Sequence, residues 1–143
     1  MLGVFNISAS GLSAQRLRMD IIADNLANAQ TTRPASETPF RRRYPIFAPK
    51  ETTSFAAALR RSSDRLSQGV RVVAIVEDNH TPGELVYDPG HPHADEQGYV
   101  RMPNVNTVRE MVQMISASRA YEANVTALNA TKAMIAKALE IGR

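Results

Sequence analysis

Cysteine is absent from the 143 residues, which excludes disulfides and thiolate metal sites and leaves the compartment undetermined by redox. Tryptophan is absent too, and aromatics total only 6%, so any core must rest on aliphatic side chains and alanine. No uninterrupted apolar run exceeds five residues, as in Val72–Val76, far short of the roughly 20 needed to span a bilayer. The opening Met1–Ser8 has neither a charged segment nor a long apolar one, so a Sec-type signal peptide is not expected. What is present suits one folded domain: 43% hydrophobic, 22% charged, net charge +3.

That small net charge hides an uneven distribution. Residues 1–32 are neutral, and residues 33–68 carry eight basic groups against three acids, a net +5. Residues 69–103 carry six acids against Arg71 and Arg101, a net −4, and residues 104–143 come to +2. Neighbouring stretches of opposite sign suit self-complementary surfaces between copies. They equally suit two solvated loops of unlike composition.

Periodicity is strongest at the two ends. Phe5, Leu12, Met19 and Leu26 recur every seven residues, with Ser8, Gln15, Ile22 and Ala29 between them. Ile7, Ala14 and Ile21 form a second stripe, and the pattern predicts a helix over about 6–29. In the C-terminal stretch Met111, Met114, Ser118, Tyr121, Val125, Leu128, Lys132, Ile135 and Leu139 alternate in steps of three and four. Ala123, Ala127, Ala130, Met134 and Ala138 add a small-residue strip. Thr107-x-x-Glu110 reads as a capping box opening this helix, and Gly142 follows its end. A helix of about 35 residues would be roughly 50 Å long.

The middle reads differently. Residues 33–68 hold Pro34, Pro39, Pro45 and Pro49 and read as a basic extended loop, with a short strand around Tyr44–Ala48 and a helical turn or two over Phe55–Leu66. Residues 69–103 form a small β-rich unit: strands over 70–77, Glu84–Tyr87 and Tyr99–Met102, separated by turns at Asn79–Gly83 and Asp88-Pro-Gly. The division is therefore 1–32 helix, 33–68 loop, 69–103 β unit and 104–143 helix. The expected fold is mainly α, with the terminal helices paired as a coiled-coil hairpin and a small antiparallel β unit inserted between them. A β unit of that size cannot cover a 50 Å rod, and helices apolar on more than one face must bury the surplus against other chains. Head-to-tail assembly fits seams left open at both ends.

Chemical motifs are weak by comparison. His91-Pro-His93-Ala-Asp95 is a poor ligand set, and Arg41–Arg43 with Arg60 and Arg61 lacks the stacking aromatics of a nucleic-acid surface. No nucleophile elbow or phosphate loop occurs. No catalytic, cofactor-binding or metal residue is expected, the chain is not expected to be an enzyme, and neither nucleic acid nor membrane insertion is expected.

Three stretches carry a resemblance. Ser10-Gly-Leu-Ser-Ala-Gln-Arg-Leu-Arg-Met-Asp-Ile-Ile-Ala-Asp-Asn-Leu-Ala-Asn-Ala holds an Asn-Leu-Ala-Asn run (Asn25, Leu26, Ala27, Asn28). Leu85-Val-Tyr-Asp-Pro-Gly-His-Pro leads to Gly98-Tyr-Val-Arg-Met-Pro-Asn-Val-Asn, containing Pro103 and Asn104. Glu110-Met-Val-Gln-Met-Ile-Ser-Ala-Ser-Arg-Ala-Tyr-Glu-Ala-Asn-Val contains Tyr121 and Asn124. Together they resemble the flagellar rod, hook and hook-associated proteins, and among these the proximal-rod members.

The resemblance implies a structural subunit of the bacterial flagellar basal body, in the periplasmic rod. It implies export by the flagellar type III apparatus without a cleaved signal, and polymerisation with copies of itself. It also implies contact with the other rod proteins FlgB, FlgF, FlgG and FliE, around the export channel. The expected assembly interface is Leu12, Met19, Ile22 and Leu26 with Met114, Tyr121, Val125, Leu128, Ile135 and Leu139. Asn25, Asn28 and Asn124 are expected either to set register near the seams or merely to cap helices and face solvent. The competing function is a soluble coiled-coil adaptor or export chaperone gripping another axial protein.

Overall fold

A computed structural model describes residues 2–34, 36–50 and 69–141. Its elements are α1 (Leu2–Ala27), β1 (Arg43–Pro49), β2 (Val70–Glu77), β3 (Leu85–Tyr87), β4 (Tyr99–Arg101) and α2 (Thr107–Ile141). The helical turns expected over Phe55–Leu66 lie outside the described residues.

α1 starts earlier and stops sooner than the expected 6–29. Asn28 ends it: its Nδ2 donates to the Asp24 carbonyl at 2.9 Å and to the Asp24 carboxylate at 3.1 Å. The next N–H groups bond back only three residues, Ala29 to Leu26 and Thr31 to Asn28. Gly3 and Gly11 are tolerated inside α1 because packing, more than propensity, holds a helix in a folded protein.

α2 has the expected length of 35 residues, but its first turn corrects the capping box. Asn106 is the cap: its Oδ1 accepts the Arg109 N–H at 2.9 Å. Glu110 bonds instead to side chains from distant segments.

β1 pairs antiparallel with β2, from Arg43 opposite Glu77 to Pro49 opposite Val70, with a register shift between Ile46 and Phe47. Its two prolines suit an edge strand, since proline has no N–H to offer a ladder. β3 pairs antiparallel with β4, and the Tyr87 and Tyr99 rings meet edge to face at 5.2 Å. At Gly98, φ is +81° and a Cβ would stand 3.0 Å from the Tyr87 ring, so glycine is required where these strands close. Among the described residues the β region is thus two separate two-stranded sheets, and the first takes β1 from the basic stretch.

The two helices pack antiparallel. Asn25 meets Glu110, and fourteen residues further along both helices Gly11 lies against Asn124. That contact spans about 21 Å at 1.5 Å per residue. At the same spacing Leu2 stands level with Ala133, nine residues beyond, so the last turns of α2 extend past the start of α1. The core is thin: Ala14, Ile21, Ile22 and Ala29 from the α1 side, Ala117 from α2, and Val100 from β4.

Candidate assembly interface

Four segments distant in sequence converge where α1 ends and α2 begins. Asn25 and Glu110 are both 0% exposed there. Asn25 Nδ2 donates to Glu110 Oε2 at 3.0 Å and to the Arg43 carbonyl at 2.8 Å, while Asn25 Oδ1 accepts the Arg43 N–H at 2.9 Å. Arg42 Nε donates to Glu110 Oε1 at 2.7 Å, and Arg42 Nη2 reaches Gln113 Oε1 at 3.4 Å. The Arg42 N–H donates to Asn104 Oδ1 at 2.8 Å. Asn104 Nδ2 in turn donates to the carbonyls of Asp78 (2.8 Å) and Thr81 (3.0 Å). Every polar atom of these two amides therefore ties one strand or turn to another, as buried polar groups require.

The expected interface residues occupy distinct places. On α1, Ile22 is 2% exposed, whereas Leu12, Met19 and Leu26 are half-buried. On α2, Met114, Tyr121, Val125, Leu128 and Ile135 are half-buried, and Leu139 is exposed. The innermost line of α2 runs one position away from the hydrophobic stripe, through Glu110, Ala117 and Asn124. Asn28 caps α1, Pro103 is buried beside Asn104, and Ala27 is exposed. Asn124 bonds to its own helix through the Ala120 carbonyl at 2.9 Å and fills the notch left by Gly11.

Sequence reasoning missed Arg42 and undervalued Glu110. The arginine run looks like loose surface charge, yet each member is engaged within the chain. Arg41 donates to the Asp78 carbonyl, Arg42 pairs with Glu110 and stacks over Tyr44, and Arg43 pairs with Asp24 and Glu77. The one available signal was a lone acid on the helix-facing line of α2, four residues from Met114.

Outside these contacts α2 leaves much apolar surface uncovered. Val108, Met111, Val112 and Ile115, one face of its first turns, are 55–69% exposed. Ala123, Ala127, Ala130, Met134 and Ala138 are exposed as well. Leu85, Val86, Tyr87 and Tyr99 add exposed apolar area on β3 and β4. Patches of this kind mark surfaces that contact other molecules.

The remaining polar clusters are local. Asp78 accepts the Thr81 hydroxyl at 2.7 Å and the N–H groups of His80 and Thr81, and these bonds, the hydroxyl's first, lower its pKa below the ordinary carboxylate value. His93 Nδ1 meets the Thr32 hydroxyl at 2.9 Å, and His91 Nδ1 accepts the His93 N–H at 3.0 Å. Among the described residues no three His, Asp or Glu side chains are grouped to hold a metal, and no helix is long and apolar enough to cross a membrane.

Comparison with known proteins places matches at both ends. The family model described as flagella basal body rod protein matches residues 5–34. That for the flagellar basal body rod FlgEFG protein C-terminal matches residues 96–141. Full-length relatives include the flagellar basal-body rod protein FlgC of Borreliella burgdorferi, 46% identical over 98% of both chains. FlgC of Bacillus subtilis is 46% identical over 96% of this chain and 95% of its own. FlgC of Salmonella typhimurium is 40% identical over 100% and 98%.

Proposed function

We propose that this chain, which belongs to the family of flagellar basal-body rod proteins FlgC, polymerises through its terminal helices into the proximal rod. The family is one of rod structural subunits, and its place is the flagellar basal body. The polymer is the torque-transmitting shaft around the export channel, and it crosses the periplasmic space. The chain reaches it through the flagellar type III apparatus without a cleaved signal. FlgB, FlgF, FlgG and FliE are the neighbouring rod proteins.

One observation carries this reading: α2 is covered by α1 along one face only, and its other apolar faces are exposed. α1 and α2 pair as a coiled-coil hairpin, and neighbouring chains would cover the faces left open. Leu12, Met19, Ile22 and Leu26 of α1 and Met114, Tyr121, Val125, Leu128, Ile135 and Leu139 of α2 form the assembly seam, in which Ile22 packs within the chain and the half-buried and exposed members also meet neighbouring chains. Helices aligned with the shaft lend it stiffness, because their hydrogen bonds run along the load. The helical segments 1–32 and 104–143 are the axial part, and 33–68 and 69–103 lie outside it.

The absence of cysteine gives a clean test. Chains carrying a single cysteine at Leu12 are coexpressed with chains carrying one at Leu128, so that any Leu12–Leu128 disulfide joins different chains. Oxidation of purified hook–basal bodies is expected to give this cross-link, and soluble protein is expected to lack it. A chain absent from the particle, or bound at fixed stoichiometry to one soluble partner, would instead favour an adaptor.

A further inference from the structure

Where α1, the residues before β1 and the residues before α2 close on the start of α2, the Glu110 carboxylate is removed from water entirely. A buried carboxylate without a cation is strongly disfavoured. Neither helix brings a cation to it. Asn25 on α1 offers a neutral amide, and the ion pair comes from Arg42, at 2.7 Å, in the segment just before β1.

Arg42 is itself held by the middle of the chain. Its N–H donates to Asn104 Oδ1, and its carbonyl accepts the Asp78 N–H at 2.8 Å, one residue past β2. Its guanidinium lies 5.7 Å from the centre of the Tyr44 ring on β1. The guanidinium thus reaches Glu110 in this geometry once β1 and β2 are in register and the turn before α2 has closed on Asn104.

We infer that Arg42 makes pairing of the terminal helices conditional on folding of the middle of the chain. Helices packed as closely as here without it would leave a buried carboxylate uncompensated, so the close packing of α1 on α2 at this end waits for the β1–β2 sheet to deliver the cation. The device lies beyond the rod reading and does not depend on it. It explains why a helix pair with a thin core of alanine and isoleucine carries a buried acid at all. Replacement of such a pair by apolar residues is often neutral or stabilising, whereas loss of one partner is costly. The asymmetry makes Arg42 and Glu110 a conditional contact rather than a source of stability.

The test uses cysteines at Gly11 and Asn124 in the full chain. A Cβ at Gly11 would lie 3.3 Å from Asn124 Cγ, the position a cysteine sulfur at 124 would take, so the pair is within disulfide reach, and it is remote from Glu110 along the helices. Mild oxidation, read as a mobility shift of the single chain, reports helix pairing. Arg42→Met is expected to slow intrachain cross-linking about tenfold or more. Adding Glu110→Gln, which removes the charge but keeps an acceptor for Asn25, is expected to restore it to within about threefold of the background. A packing role for Arg42 would leave the double variant as slow as the single one. That result, an unchanged rate in Arg42→Met, or no cross-link in the background chain would overturn the inference. Recovery of the chain in basal bodies is a separate readout, so failure of the rod reading is recognised independently.

Discussion

The two ends of the helix pair are built on opposite principles. At the Asn25–Glu110 end, both side chains are fully buried, and hydrogen bonds from α1, the residues preceding β1, the residues before α2 and α2 itself close on one another. At the far end, α2 runs past α1, and Leu139 and Ile141 are 71% and 86% exposed. The same helix therefore begins in a network completed within the chain and ends as apolar surface that the described residues leave exposed. Intrachain order is concentrated where polar groups can satisfy each other, and the apolar remainder is the surface that the proposed polymer would use.

The largest expected effect tests the closed end. Asn25→Leu would leave the Arg43 N–H and carbonyl without their partner and remove a donor from Glu110. It should cost about 3 kcal/mol, seen as an earlier loss of helical circular dichroism on heating. A loss below about 1 kcal/mol would mean that the network is not what holds this end. At the open end, Leu139→Ser and Ile141→Ser should change the stability of the isolated chain by no more than about 0.5 kcal/mol each. Their recovery in purified hook–basal bodies should fall. A comparable loss at both ends of the isolated chain would break the contrast.

The smallest effect lies at the edge of the closed end. Thr81→Val removes the leading cause of the lowered Asp78 pKa, so that pKa should rise toward the ordinary carboxylate value in an NMR titration. The sign follows from the depressed pKa. The carboxylate supports the Asp78–Thr81 turn above the ordinary carboxylate range, and that support fades as pH falls through the lowered value. In Thr81→Val it should fade at higher pH. An unchanged titration would assign the shift to the backbone N–H groups of His80 and Thr81.

Much of this architecture was legible in the residues. Seven-residue spacing marks both helices, and alternation marks β2, because burial on one face imposes the period of the element. The short strands were legible through their flanking turns. The pairing partners were not: β1 joins β2 across a stretch of sequence with no local signal for the match, and β3 joins β4 separately. On α2 the most hydrophobic stripe is not the most buried line. Glu110 and Ala117 sit innermost, because small and polar residues let the helices approach where larger side chains would hold them apart. The capping-box reading of Glu110 failed for a related reason. A local pattern names what a side chain can do nearby, and a partner 68 residues away offered a stronger, charged bond.

By itself the sequence determined the kinds of elements found among the described residues, the surplus of apolar helix surface, and membership in a family of flagellar rod proteins, because periodicity and motif order are written along the chain. Only the tertiary structure decided which face of each helix turns inward, that the arginine run is engaged within the chain, and that Asn25, Arg42, Asn104 and Glu110 form one network. These depend on groups brought together from segments tens of residues apart, where desolvation raises the cost of every unpaired polar atom and so selects one arrangement.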